Sequence, residues 1–274
     1  MTMTTVAGEL PDALGHLQGG IADSLRTRIG GRPVALFLDY DGVLAEIVDR
    51  PEDATISDGM RDVVADLAQR CQVCVVSGRD RPVVQELMRL DSLIVAGSHG
   101  FDIASPDGEI SAQFAGGHEN LLESVRHQVE AGAREIPGAT VEVKAASVAL
   151  HYRLVDEIDR WRATALVEEV RTAHLDELKV TPGKMVYEVQ PAIDWDKGKA
   201  VDYLIRVLEM GPDVVPIYLG DDFTDEHAFT ALRGRGIGLI VVGAATADAD
   251  RVSAAEYRLD GVAAVQRFLD LIAR

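Results

Sequence analysis

Two carboxylates sit two residues apart where an apolar run ends, in VALFLDYDGVLAEI (34–47). Residues two apart on an extended chain point the same way, so Asp39 and Asp41 are expected to face one pocket. Adjacent carboxylates repel, and burying them unpaired is costly. A divalent cation resolves that conflict. All-oxygen ligation suits Mg²⁺, which commonly takes one or two carboxylates plus substrate phosphate. Gly42 lets the backbone turn away close by, and it comes too early for an EF-hand loop. A solvated acidic loop or a helix-capping cluster is the plainer reading of DYDG alone. A second acidic cluster weighs against it. In IYLGDDFTDEHAF (217–229), Asp221, Asp222 and Asp225 follow another apolar run and Gly220. Asp225 and Glu226 equally suit the start of a helix through its dipole. VVSGRD (75–80) adds a hydroxyl at Ser77, open backbone at Gly78 and a guanidinium at Arg79. Such a turn can present donors to phosphate. DKGKA (196–200) opens a helix with Lys197 and Lys199. A lysine there can pair with phosphate and a first-strand carboxylate, although alone it reads as surface charge.

These stretches need a scaffold that gathers strand ends. VALFL (34–38) is apolar without alternation, as in a parallel sheet covered on both faces. Helical spacing over 58–70 and 80–90, with strands at 73–76 and 93–97, makes a β-α-β-α-β series. Right-handed crossovers and a doubly wound sheet are therefore expected, with ligands at the carboxyl ends of the strands. The rhythm changes after about residue 104, where SPDG (105–108) is a turn between short strand-like pieces. Then come a helix (119–135), strands (139–144 and 147–153), a helix (156–173), and strands (178–181 and 185–190) joined by TPGK. They predict a small α+β module with an open-faced antiparallel sheet. The α/β rhythm returns with helix 197–209, strand 214–220, helix 224–233, strand 238–242 and a final helix 260–273. The expected organisation is a discontinuous core of residues 1–112 and 193–274, starting with a helix over 10–29, and an insert at 113–192.

The chain has 274 residues, a length that fits a main domain with a smaller module. Its 27 Lys and Arg against 45 Asp and Glu give a formal net charge of −18. Such a surface repels nucleic acid and anionic lipid, so neither is an expected partner. An anionic small substrate needs local positive charge or a metal ion to overcome this field. No apolar run approaches the ~20 residues of a membrane span. The N-terminal stretch lacks the basic start and apolar centre of a secretory signal, so a cytoplasmic chain is expected. Only Cys71 and Cys74 occur, which fits a reducing compartment. A redox CxxC needs its first Cys at a helix N-terminus. Here the pair falls where a helix runs into a strand, so a structural role is expected. A monomer is the default, with oligomeric state left open.

Taken in order, DYDGVL, SGR, DKGKA and GDDFTDE resemble the four signature motifs of the haloacid dehalogenase (HAD) superfamily of phosphotransferases. GSHGFD (97–102), VEVKAASVALHYR (141–153) and KMVYEVQP (184–191) make the chain similar to the trehalose-6-phosphate phosphatase family, over roughly residues 34–242. The resemblance implies a HAD-like, doubly wound Rossmannoid core with an inserted α+β cap domain of the C2 type. It implies Asp39 as a nucleophile forming an aspartyl phosphate, and Asp41 as general acid and then base. It implies Mg²⁺ held by Asp39, the backbone carbonyl of Asp41, and Asp221, with Asp222 and Asp225 in support. Ser77, Gly78, Arg79 and Lys197 would meet the phosphate. His99, Gly100, Glu142, Lys144, His151, Arg153, Lys184 and Glu188 would meet the sugar. From the residues alone, Glu142/Lys144 and His151/Arg153 are two apart, and Lys184/Glu188 four apart, so each pair should share a strand face. Cross-strand ion pairing is the alternative role for them.

The implied reaction is hydrolysis of trehalose 6-phosphate, the last step of trehalose biosynthesis. The same chemistry on sucrose 6-phosphate or a glucosylglycerol-type phosphate is the nearest alternative. A phosphoacceptor signalling domain and a non-catalytic sugar-phosphate sensor are the competing classes. Four features depart from the family pattern. Val43 stands where Thr is frequent, Gln190 where Arg is usual, Asp102 where Glu is usual, and AIDWDKG (192–198) is unusual.

Overall fold

The computed structural model describes residues 5–18, 25–48, 50, 53–114, 116–243 and 250–273. A short strand, β1 (Thr5–Val6), and a 3-10 turn (Ala7–Glu9) precede helices α1 (Ala13–Gln18) and α2 (Leu25–Ile29). The core continues with β2 (Val34–Leu38), α3 (Asp58–Leu67), β3 (Gln72–Val76), α4 (Arg81–Met88), β4 (Ile94–Gly97), β5 (Asp102–Ala104) and β6 (Ser111–Gln113). A second unit follows: α5 (Glu119–Ala133), β7 (Thr140–Val143), β8 (Val148–His151), α6 (Arg160–Ala173), β9 (Leu178–Gly183) and β10 (Val186–Pro191). The chain returns through α7 (Lys197–Val207), β11 (Val215–Gly220), α8 (Glu226–Leu232), β12 (Ile237–Val242), β13 (Val252–Ser253), β14 (Tyr257–Asp260) and α9 (Val262–Ala273).

The main sheet has eight strands in the order β14-β12-β11-β2-β3-β4-β5-β6. It is parallel from β14 to β4, and the β5–β6 hairpin extends it antiparallel. Central β2 explains its own unalternating sequence. Leu36 and Leu38 enter the core formed with α3, α4 and α9, whereas Ala35 and Phe37 enter the core formed with α7 and α8. With both faces dry, each large side chain contributes about 1.5–3 kcal/mol of burial, and no polar residue is tolerated before the strand ends.

Three expectations need correction. The helix read over 10–29 begins only at Ala13. Leu10 is extended, because Pro11 disfavours the helical region for the residue before it. The Pro11 carbonyl instead accepts the Arg258 N–H at 3.0 Å. Residues 19–24 of that helix lie outside the described residues. At the other end, Tyr257–Asp260 forms a parallel edge strand on β12, so the final helix starts two residues later than expected. YRLD is too short for its alternation to separate strand from helix. Lastly, Lys184 is not on a strand. β9 pairs with β10 as far as Gly183↔Val186, which leaves Lys184 and Met185 as the hairpin turn, Met185 at φ 63°.

The cysteines are structural, as expected. Cys74 is buried in β3, and burial pushes its thiol up to about 12 and that of Cys71 to about 11. Among the described residues no helix is long and apolar enough to cross a membrane.

The second unit is a four-stranded antiparallel sheet, β7-β8-β10-β9. Val148, Leu150 and Val189 pack under α5 and α6 against Val125, Val129 and Val167. The alternate residues form rows on the other face: Glu142↔Ala149↔Glu188↔Thr181 and Thr140↔His151↔Val186↔Gly183. This face looks onto the carboxyl edge of the main sheet. Where the chain leaves and re-enters the core, Phe114 stacks on Trp195 with ring centroids 3.7 Å apart.

Candidate active site

β2 ends at Leu38, and the next residue brings the Asp39 carboxylate, buried, to the edge of the sheet. Lys197 Nζ donates to Asp39 Oδ2 at 2.6 Å, and the Tyr40 N–H to Oδ1 at 2.7 Å. Lys197 is the first residue of α7, and Asp196 caps that helix by accepting the Lys199 N–H at 2.9 Å. The same Lys197 ammonium donates to Asp225 Oδ1 at 2.7 Å. Asp225 is satisfied on both oxygens: Tyr218 Oη donates to Oδ1 at 2.6 Å, and the N–H groups of Asp221 and Asp222 to Oδ2 at 2.8 Å each. It therefore serves the cluster and the helix start at once, closing a capping box with Asp222. Gly42, at φ 74°, is required where it stands, because a Cβ there would lie 2.1 Å from Asp221 Oδ2.

Carboxylate oxygens of Asp39, Asp221 and Asp225 lie within 4.8 Å of one another. Burial pushes the Asp39 carboxyl well above its usual range; Lys197 pulls against that, while Asp225 and Asp221 add to it. Asp221 is likewise raised to about 7 by burial, with Asp225 and Asp222 adding to the effect against the opposing Lys184, whose Nζ donates to Asp221 Oδ2 at 2.7 Å. Burial also disfavours the Asp225 charge, but Lys197 and Tyr218 outweigh it and hold that carboxyl low. Three buried carboxylates thus share two ammonium groups, Lys197 and Lys184, and burial disfavours the charge on Asp39 and Asp221. At the rim, Arg79 forks Asp41, with Nε and Nη2 each donating to a carboxylate oxygen at 2.8 Å. Arg79 also lies over the Tyr40 ring, 5.4 Å from its centroid.

A continuous cavity joins this floor to the open face of the second sheet. Asp39, Asp41, Glu142, Glu188, Asp221 and Asp222 line it together with Arg79, Lys144, Arg153, Lys184 and Lys197. Glu188 is the buried hub of the roof. Lys144 Nζ donates to both of its oxygens at 3.1 Å, Ser147 Oγ donates to it, and His99 Nε2 lies 3.1 Å away. Glu142 contacts His151 Nε2 at 2.9 Å, and Arg153 Nη2 donates to the Lys184 carbonyl at 3.1 Å. Cross-strand and cross-unit ion pairing, the alternative role for these residues, is thus present within the cavity wall itself.

Burial opposes the Glu188 charge, but Lys144 and His99 more than compensate and hold its carboxyl well below the usual range. A depressed carboxyl contributes stability above its unfolded pKa, and that contribution fades as pH falls below about 4.3. Glu188→Gln is therefore expected to cost roughly 3 kcal/mol at pH 7 and progressively less in acid. Thermal melts of both proteins at neutral pH and at about pH 3.5 check this, and a penalty independent of pH would exclude the paired carboxylate as its source.

Not every expected site residue reaches the cavity. Ser77 is fully buried just behind Gly78 and Arg79, its Oγ accepting the Arg79 N–H at 3.1 Å. Gly100 does not contact the cavity. It packs on α7, where a Cβ would lie 2.3 Å from Ala200 Cβ, so it is a close-packing glycine rather than a sugar contact. Asp225 lies beneath the floor. Of the departures from the family pattern, Asp102 accepts Arg81 Nε at 3.0 Å, Val43 is fully buried in the core, and Gln190 is buried on β10.

A family profile described as trehalose-phosphatase matches residues 37–263. The chain belongs to the trehalose-phosphatase family. Trehalose-phosphate phosphatase B of Arabidopsis thaliana is 38% identical over 90% of this chain and 68% of its own length. An "uncharacterized glycosyl hydrolase" of Mycobacterium tuberculosis is 42% identical over 96% of this chain, which spans only 20% of that longer protein. Among solved structures, the C-terminal domain of Candida albicans trehalose-6-phosphate phosphatase superposes with a TM-score of 0.80 at 22% identity, covering 99% of both chains. The fold, a doubly wound core carrying an inserted α+β unit, is shared with a haloacid dehalogenase-like hydrolase of Bacteroides thetaiotaomicron, which superposes with a TM-score of 0.63 at 13% identity over 88% of this chain and 100% of that one.

Three side chains of this trehalose-phosphatase family member escape motif reading. Tyr218 sits inside an apolar strand and gives no local signal, yet its hydroxyl meets Asp225. Ser147 opens the strand read over 147–153 and gives no local signal, yet its hydroxyl donates to Glu188. Asp80 reads as the first residue of the helix over 80–90, but its carboxylate accepts the Ala145 N–H of the second unit at 3.1 and 3.0 Å, and also Ser98 Oγ. With the Lys144 to Gly78 carbonyl bond of 2.9 Å, Asp80 ties the second unit to the core at the cavity mouth.

Proposed function

We propose that the chain hydrolyses trehalose 6-phosphate to trehalose and phosphate through an aspartyl phosphate on Asp39, with residues 113–192 acting as the sugar-binding cap. The observation that carries this reading is the cavity that puts Asp39 and Asp41 under a sheet face bearing Glu142, Lys144 and Glu188. A reactive carboxylate pair alone fits any phosphotransferase, whereas a polar roof above it fits a sugar ester.

A hard divalent cation suits the donor set. Asp39, Asp221 and Asp225 are buried carboxylates with oxygens within 4.8 Å of one another that share the two ammonium groups of Lys197 and Lys184. Asp39, Asp221 and the Asp41 carbonyl would hold Mg²⁺, with Asp225 fully committed to positioning. When bound, the ion screens the attacking carboxylate from the phosphate and stabilises charge on its oxygens. The other steps belong to the chain's own residues. Asp39 attacks phosphorus, the bond from phosphorus to the sugar oxygen breaks, and Asp41 delivers a proton to that oxygen. Asp41 then takes a proton from water as the water oxygen attacks phosphorus, which releases phosphate and restores Asp39. Arg79 orients Asp41 between these roles, and Lys197 holds Asp39. Closure of the cap excludes bulk water while the ester is intact.

The test is phosphate release from a panel of trehalose 6-phosphate, sucrose 6-phosphate, a glucosylglycerol phosphate and glucose 6-phosphate. We expect kcat/KM for trehalose 6-phosphate to exceed the others by about 100-fold or more, since a site built to hydrogen-bond a substrate hydroxyl rejects an analogue lacking it by up to about 10⁴–10⁵. We also expect chelation to abolish turnover and added Mg²⁺ to restore it. Equal rates across the panel would refute the substrate, and turnover unaffected by chelator would refute the metal.

A further inference from the structure

The segment that leads into β13 carries a side chain that the mechanism does not use. Arg251 is nearly buried, its side chain 8% exposed, and it lies under the second acidic cluster. Its Nη1 donates to the backbone carbonyl of Asp221 at 3.1 Å, and its guanidinium lies over the Phe223 ring, 4.8 Å from the centroid. Nη2 is 3.5 Å from Glu226 Oε1, while Glu226 Oε2 accepts the Ala254 N–H at 2.7 Å. Arg251 thus touches the backbone of Asp221 and the side chains of Phe223 and Glu226, across the turn where β11 becomes a helix. What holds Arg251 comes from the opposite end of the chain. The Ala7 N–H donates to the Arg251 carbonyl at 2.7 Å, and β1 pairs with β13 directly beyond it, Val6 with Val252 and Thr5 with Ser253.

We infer that the N-terminal strand is a strap that sets Arg251, and that Arg251 is a positioning residue for Asp221. This rests on the reading of Asp221 as a metal ligand. The physical ground is that a carboxylate must be held to within a fraction of an ångström to ligate well, and its own strand ends at Gly220. Beyond that point the backbone leaves the sheet; the N–H side of Asp221 is held by Asp225, and its carbonyl side depends on tertiary contact. A guanidinium that bonds the Asp221 carbonyl and packs on Phe223 supplies such a contact. The pairing of β1 with β13, two segments far apart in the chain, backs that contact.

Two single variants of the full chain and their combination test the strap. Arg251→Met removes the donor and keeps the bulk. Ala7→Pro removes the N–H that holds the Arg251 carbonyl, at the cost of ring carbons added at a buried position, so its thermal melt is compared with wild type alongside. Position 7 opens a 3-10 turn after an extended Val6 (φ −72°, ψ 135°), a setting that accepts proline. In metal-free protein, amide exchange of the peptide covering residues 219–226 is expected to rise in both variants, with β2 and β3 unchanged. Calorimetric Mg²⁺ affinity is expected to fall by about 10-fold in Arg251→Met. The double variant should be no weaker than Arg251→Met alone, because the two changes break one linkage. Exchange in 219–226 as slow as wild type in Arg251→Met, exchange rising equally in the central strands, or fully additive losses would each overturn the inference. If the wild-type chain itself binds no Mg²⁺, the metal reading falls, and the exchange result still decides the strap.

Discussion

Asp39→Asn is expected to abolish turnover of sugar phosphate while the fold survives, with kcat down by about 10⁴-fold or more, as for loss of a nucleophile. The amide keeps the shape of the carboxylate but cannot form the phosphoryl ester. Stability should hold or rise. Asp39 is buried beside Asp221 and Asp225, so removing its charge relieves repulsion, and Lys197 keeps Asp225 as a partner at 2.7 Å. Steady-state rates with thermal melts on the same preparation check both halves. Activity within about 10-fold of wild type would move the nucleophile elsewhere, and a collapsed melt would make Asp39 a structural residue first.

Lys197→Met is expected to have the largest effect on stability, because one ammonium serves two buried carboxylates. Removing one partner of a buried pair typically costs about 3–5 kcal/mol. Two carboxylates are stranded here, and Asp39 and Asp225 are left to repel each other and Asp221. Denaturant midpoints should fall at an unchanged slope. Adding Asp225→Asn to Lys197→Met should recover part of the loss, since it deletes one of the stranded charges. A midpoint within experimental error of wild type would mean that water or another cation replaces the lysine. Turnover should be lost in both variants, because Lys197 holds Asp39 at 2.6 Å.

Much of the floor of this site is legible in the chain itself. A strand buried on both faces must be apolar along its length, so VALFL and VPIYLG stand out, and the polar residues that break such runs fall at the sheet edge. That logic puts Asp39, Asp221, Gly78 and Arg79 at strand ends on the same rim, and the structure adds that the strands before Asp39 and Asp221 are neighbours. Period-two alternation likewise puts Glu142 and His151 on the open face of the cap. The Asp41 and Lys197 positions follow from the turn and the helix start that adjoin these runs.

What the chain does not reveal is who neutralises whom. Lys197 meets Asp39 across 158 residues of sequence, Lys184 meets Asp221 across 37, and Arg79 turns to Asp41 across 38. Gly100 looks like part of a binding motif but is a packing glycine, because only the approach of α7 defines its surroundings. Tyr218 and Arg251 carry no local pattern, and their importance arises from the loops that converge on Asp225 and Asp221. Side-chain periodicity is a property of each segment alone, so sequence determined the elements and which residues their ends present. Charge pairing and desolvation depend on distances between segments, so only the tertiary structure decided which carboxylates are held by lysine or arginine and which must share an ammonium group.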